Sequence, residues 1–431
     1  MAICPSLAHN KGGLRSRATR HYRFIACSKG SLLAVVMIVI SRSRGYGIMD
    51  AKARISEPAA NDFARNRMMN RHRIRSRFGI VLLLGLSAHA YGTTVTIHTD
   101  DARATLVALQ NPSLTHKQAM VVAEMHGNLA VVRKLKEFKI PMTPNSFADA
   151  LFACAHGHQA TDNAESALAL DKTKVEAPQL LALLGEFDAI PNTFQNDIER
   201  RISMFTPPGA DIHLEGYVVA AGDGGGYAFG DTEFFLNIGV SDDLIVARNV
   251  TTHELYHAIQ GAYAKEREPG LDFVQGRAKQ ACERVEDLFA SVYEEGSARY
   301  VEDVSRLSQS HSEGAKRILA DANDGTSRGR TSASLLEISV AALAAEDPVP
   351  FDDVYDVGFL GHGELYGIGY LTAKAIVDSD GPPGLTRALK EPPHKFLLRY
   401  MQLANYGADS DHPRLGSNTS SFVKRLETGC R

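Results

Sequence analysis

The stretch Thr252-His253-Glu254-Leu255-Tyr256-His257-Ala258 decides how the rest of the chain is read. Two histidines four apart bracket a glutamate, and the flanking residues favour a helix. On a helix, positions i and i+4 lie one above the other on the same face. Two imidazoles at that spacing can bind one metal ion from consecutive turns, and Glu254 projects beside them, placed to act on a water. The competing reading is an ordinary amphipathic helix whose histidines pack or face solvent. Against it, Leu255, Ala258, Ile259 and Ala262 gather on one side of the helical wheel, with His253 and His257 on the other. The apolar Leu244-Ile245-Val246-Ala247 comes just before, so this helix is expected to be buried.

Two histidines need a partner, because a metal site that does chemistry usually has three protein ligands and one open position. Downstream, Val292-Tyr293-Glu294-Glu295-Gly296-Ser297-Ala298-Arg299-Tyr300 lies in helical text running from about Ala281 to Leu307. Leu288, Val292 and Glu295 fall on one stripe, so Glu295 continues an apolar, buried face. Glu294 shares its face with Glu283, Asp287 and Ser297 and reads as solvated. A carboxylate on a buried stripe needs a cation, which makes Glu295 the expected third ligand. A pair with Arg299, one turn on, is the alternative, but a same-helix pair seldom compensates full burial. Gly296 in mid-helix costs about 1 kcal/mol relative to Ala, and a close approach by the metal helix would explain it.

His253-Glu254-x-x-His257 followed by Glu295-Gly296-x-Ala298 resembles the gluzincin branch of zinc metallopeptidases. The chain is most similar to exported bacterial zinc peptidases of unassigned substrate. The resemblance covers residues 212–378 at most, and its specific part is six positions. It implies one zinc ion held by His253, His257 and Glu295, with Glu254 as general base and a peptide or protein as substrate. It implies a zincin-like core, in which a small sheet lies over the active-site helix and its edge strand pairs with the extended substrate. Tyr227–Asn237 is the candidate edge. It also implies a Tyr or His from a later segment over the scissile carbonyl. Tyr366, in the Tyr-Gly-x-Gly-Tyr segment that leads into a helix through Val377, is that candidate, with Tyr370 and His362 as alternatives. The interval from His257 to Glu295 exceeds that of the best-known aminopeptidases, and no Gly-x-Met-x-Asn motif lies upstream, so bond preference stays open.

Upstream of the metal helix, Pro207-Pro208-Gly209 breaks helical text, and Ile212–Ala221 and Thr232–Ile238 read as strands. Between them, Gly222-Asp223-Gly224-Gly225-Gly226 lacks the Gly-Lys-Ser/Thr and the strand–loop–helix order of a phosphate loop, so it reads as a flexible connection. Thr94–Thr99 alternates like a first strand. Helical patterns follow over Ala104–Leu109, His116–Met125, Leu129–Phe138 and Phe147–Ala155, with Met142–Ser146 a capping turn before the last. His126-Gly127-Asn128 and His156-Gly157-His158 recur thirty residues apart, short of an ankyrin repeat and without its loop signature. Cys154, His156 and His158 read as a helix end and its turn. The expected fold is α+β and mostly helical: a helical N-terminal region (91–205), the zincin-like core (206–378) and a helical C-terminal region (379–431).

Charge divides the chain near residue 90. Residues 1–77 hold sixteen Lys/Arg against three acids, whereas residues 91–431 hold thirty-one against forty-seven. Arg71, Arg73, Arg75 and Arg77 form a basic region, Phe78–Leu86 an apolar one, and Ala88-His89-Ala90 a small-x-small cleavage site, which together predict a signal peptide over 68–90. Residues 1–67 are then expected to be an over-extended or disordered leader, with Met68 or Met69 the natural start. Leu32–Ile40 gives about nine apolar residues, too few to span a bilayer. The mature chain is expected to be exported, periplasmic or secreted, with no stable membrane span. Its acidity argues against nucleic acid and anionic membrane surfaces. Cys154, Cys282 and Cys430 would remain, with room for one bridge in an exported protein. Two other readings stay open: an exported, non-catalytic binding protein with a vestigial metal site, and a zinc hydrolase acting on cell-wall peptide or another amide.

Overall fold

The computed structural model describes residues 92–430 apart from 223, 230–231, 268–274 and 361–362. The expected leader, the signal peptide and His362 lie outside the described residues. Strand β1 (Thr94–His98) is followed by helices α1 (Asp100–Leu109), α2 (His116–Ala123), α3 (His126–Glu137), α4 (Pro144–Ala155), α5 (Asn163–Ala167), α6 (Leu170–Ala189) and α7 (Pro191–Ser203). Strands β2 (His213–Val219), β3 (Gly226–Ala228) and β4 (Glu233–Asn237) come next. Then come α8 (Leu244–Ala262), α9 (Gly276–Glu302), α10 (Glu313–Ser327), α11 (Gly329–Ala344), α12 (Phe351–Phe359) and α13 (Glu364–Asp380). The chain ends in α14 (Pro383–Ala388), α15 (Pro393–Met401) and α16 (Ser417–Glu427). The fold is α+β and mostly helical, with one small mixed sheet. Local chemistry sets several boundaries. Thr143 accepts from the Ser146 N–H with Pro144 in the first turn, so the Met142–Ser146 segment does cap α4, and Asp243 accepts from Val246 N to start α8.

The sheet has the order β1-β2-β4-β3, with β1, β2 and β4 parallel and β3 antiparallel to β4. Side chains alternate along its strands. Leu214, Val218, Phe234 and Leu236 join the core built on α8 and α9, while Tyr217, Val219, Tyr227 and Phe235 join the core of α1 to α4. Parallel strands buried on both faces need runs of apolar residues, which Tyr217–Val219 of β2 and Phe234–Leu236 of β4 supply. The sheet draws β1 from before residue 205 and the other strands from after it. The Gly222–Gly226 run is more than a connection, since its end forms β3. Of the candidate edge Tyr227–Asn237, Tyr227 and Ala228 do lie in β3, the outer strand next to β4, whereas β4 itself lies inside the sheet.

The long α9 is the axis of the second half. Its tightest neighbour is α13: a Cβ on Gly296 would fall 2.2 Å from the Gly369 carbonyl carbon, and one on Gly369 would fall 2.3 Å from Val292 O. The expectation that the metal helix closes on Gly296 is therefore corrected, because the glycine makes room for α13. Gly367 in the same Tyr-Gly-x-Gly-Tyr segment makes a like approach to Gly325 of α10. The chain end is fastened to α9 by the Cys282–Cys430 disulfide and by buried His394, whose Nδ1 lies 2.9 Å from Glu286 Oε1. Among the described residues, no helix is long and apolar enough to cross a membrane.

Candidate metal centre

Helix α8 carries His253, Glu254 and His257 into the space between β3, β4 and α9. Every residue from Val246 to Gln260 except Val250 is buried, so the helix is enclosed on the histidine side as well as the apolar side. His253 Nε2 and His257 Nε2 face each other at 3.0 Å. Glu295 Oε2, presented by the buried Leu288–Val292–Glu295 stripe of α9, lies 3.5 Å from the first and 3.6 Å from the second. An ion held tetrahedrally at about 2.05 Å from each ligand sets its donors about 3.3 Å apart, and these three distances bracket that value.

The electrostatics also call for a cation. Among the described residues, neither Glu295 Oε2 nor Glu254 Oε2, both buried, has a hydrogen-bond partner. Three carboxylates, from Glu254, Glu295 and Glu302, surround the two imidazoles. Burial opposes charge on His253, but Glu302, Glu295 and Glu254 outweigh it and push that imidazole up to about 10. Burial alone would raise Glu295; the His257 and His253 imidazoles reverse this and bring its carboxyl down to about 2. Glu254 is raised by burial, with the imidazoles pulling the other way. His253, His257 and Glu295 form a buried cluster compatible with zinc.

A surrounding layer fixes the donors. Glu302, two turns beyond Glu295 on α9, sets Oε2 2.8 Å from His253 Nδ1. Gln260 Oε1 lies 2.6 Å from His257 Nδ1. The Gln260 amide is itself oriented, since its Nε2 donates to Glu294 O at 2.9 Å and to Ser297 Oγ at 2.8 Å. Its oxygen must therefore face His257, which assigns the proton to Nδ1 and leaves the Nε2 lone pair toward the cluster. Glu294 corrects an expectation. It is buried rather than solvated, because Arg267 NH2 donates to its Oε1 at 2.6 Å and supplies the counter-charge. Glu295 has no such partner in Arg299, whose guanidinium lies instead 5.8 Å from the centre of the Tyr366 ring.

Tyr366, in the first turn of α13, reaches the cluster: burial and a hydrogen bond with Glu295 hold its phenol well above the usual range. Tyr370 stands elsewhere, its ring 6.0 Å from Tyr300 and its charged neighbours Lys374 and Asp303. Tyr355 of α12 was not foreseen. Burial, then Glu295 and Glu254, push its phenol up, so it faces the same carboxylates. No local motif marks it, whereas Glu302 could have been found from its seven-residue offset along the buried stripe of Glu295. Strand β3 comes close as well, and a Cβ on Gly226 would fall 3.3 Å from Glu254 Cγ.

No curated protein and no solved structure matches the chain. A family model does match, over residues 116–409, a span that holds His253, Glu254, His257, Glu295, Glu302 and Tyr366. On that match the chain belongs to the family described as "Putative zinc dependent peptidase (DUF5700)".

Proposed function

We propose that this chain is a gluzincin-type zinc peptidase in which His253, His257 and Glu295 hold one zinc ion and Glu254 is the general base. The observation that carries this is the convergence of three donor atoms within 4.8 Å of one another at a buried point, with the carboxylate of Glu254 beside them. Zinc bound there supplies Lewis acidity, polarising the scissile carbonyl and making water a nucleophile near neutral pH. Glu254 accepts the proton of the attacking water and delivers it to the leaving nitrogen as the C–N bond breaks. Its burial suits the first half of that task, since a carboxylate whose pKa is raised above its ordinary range is a stronger base toward the water. Tyr366 turns its hydroxyl from Glu295 to the substrate carbonyl and donates a hydrogen bond to the oxyanion. Glu302 and Gln260 keep the imidazoles in place.

The substrate lies extended along β3, pairing with its free edge through backbone hydrogen bonds. Gly226 has no side chain to hold that strand away from Glu254. Residues 206–378 carry the proposed catalytic residues, and β1 (Thr94–His98) of the preceding region completes the sheet beside them. The Cys282–Cys430 disulfide supports an exported protein, because such bridges persist in oxidising compartments. The test is Glu254→Gln, assayed on a peptide library beside the wild type. The variant is expected to keep its zinc and lose hydrolysis by at least roughly a hundredfold. Full activity in that variant removes Glu254 from the base role.

A further inference from the structure

The described residues line an open cavity of about 400 Å³, bounded by the end of α9, by α10, by α13 and by residues 411–412, and Tyr366 is among its lining residues. That is within the range of roughly 300–1,000 Å³ usual for ligand sites. Tyr366 belongs to both the metal centre and the cavity, because it interacts with Glu295 and also lines the cavity. Arg299 shares that wall. It sits one turn past Glu295 on α9, half-buried.

The charges of the cavity are unequal. Lys374 is paired with Asp378, Asp324 with Arg328 and His412 with Asp409. Asp321 and Asp411 are exposed to water. Arg299 has, among the described residues, no hydrogen bond and no carboxylate within ion-pair distance; its guanidinium lies over the Tyr366 ring, with the Tyr370 phenol also near. A half-buried guanidinium without a counter-charge gives up hydration for nothing within the protein. Its planar fork matches a carboxylate with two parallel hydrogen bonds. An extended chain advances about 3.3 Å per residue, so a peptide whose carbonyl meets Tyr366 brings a neighbouring residue to this wall.

Resting on the peptidase reading, we infer that this cavity is the subsite for a residue beside the scissile bond, and that Arg299 selects a single carboxylate there. The carboxylate comes from an Asp or Glu side chain or from a free C-terminus. Asp321 and Asp411 at the solvent side repel further negative charge, which disfavours polyacidic segments.

The test measures calorimetric binding to zinc-loaded wild type and Arg299→Gln, so it does not depend on turnover. Three N-acetylated peptides are compared: one with an internal Glu and an amidated end, one with Gln and a free C-terminus, and one with Gln and an amidated end. Wild type is expected to bind one of the first two at least roughly tenfold tighter than the third, and Arg299→Gln to abolish that advantage with zinc content and melting temperature unchanged. Which peptide carries the advantage identifies the source of the carboxylate. Equal binding of all three by wild type overturns the proposal, as does an advantage that survives in Arg299→Gln. If that variant does not fold, Arg299→Lys takes its place, and there an undiminished preference is the overturning result. Arg299-dependent binding without hydrolysis of any peptide keeps the subsite and removes the peptidase reading; hydrolysis without carboxylate preference does the reverse.

Discussion

Replacing Gly296 by alanine tests whether the α9–α13 contact sets the geometry of the site. The added Cβ would lie 2.2 Å from the Gly369 carbonyl carbon and 2.3 Å from its Cα, where ordinary contact begins at 3.4 Å. The shortfall of 1.2 Å falls on backbone, which cannot swing aside as a side-chain tip can. The helices must therefore separate by about 1 Å, at a cost in the upper part of the 1–3 kcal/mol usual for overpacking. Alanine's better helix propensity returns about 1 kcal/mol, leaving a net loss of ~2 kcal/mol. For a domain of this size that lowers the melting temperature by roughly 4 °C. Glu295 is carried by α9 and Tyr366 by α13, so the same movement parts their hydrogen bond, and hydrolysis should fall more than stability does. The control is Gly185→Ala in α6, where nothing lies within 4 Å of the new Cβ; it should gain about 0.5–1 kcal/mol. Differential scanning calorimetry of both variants, with peptide hydrolysis alongside, decides the matter. A Gly296→Ala protein as stable as the control would refute the packing argument.

Two further predictions follow from side chains outside the donor set. Glu302→Gln keeps the shape beside His253 but loses the charge, and zinc affinity measured by chelator competition should fall about ten- to a hundredfold; unchanged affinity would show that Glu302 does not support His253. Asp380 receives Arg399 Nε at 2.8 Å and Arg387 NH2 at 2.6 Å, and the Arg399 hydrogen bond holds its carboxyl down at about 2. Its folded value thus lies below the unfolded value of about 3.9, so its stabilisation is present above pH ~4 and is lost as pH falls toward 2. Both arginines are solvent-exposed to a third or more, which limits the effect to about 1 kcal/mol or less. The stability gap between wild type and Asp380→Asn should close over that window in denaturant titrations, and a gap independent of pH contradicts the assignment.

The parts of the site legible in the sequence are those that one helix specifies by itself. The spacing of His253 and His257 needs only the helical repeat, and Glu295 followed from the stripe that it shares with Leu288 and Val292. Burial of Glu294 was hidden because its partner, Arg267, lies beyond the end of α8 and not on the face of α9. Gly296 announced a close approach but not the approaching element, since Gly369 lies far along the chain. The three-residue β3 vanished into a glycine run, where a strand has too few side chains to show alternation. Tyr355 reaches the carboxylates only through the packing of α12, which no local pattern encodes. The α+β, mostly helical class was legible, because long periodic segments outnumber the alternating ones.

Metal analysis of the purified, folded protein, wild type beside Glu295→Ala, tests the account most directly. One zinc per chain in the wild type and little in the variant is the predicted result, because two imidazoles without the carboxylate leave the donor set one ligand short. Wild-type protein that holds no zinc as isolated, and takes up none when it is added, would contradict the account at its centre.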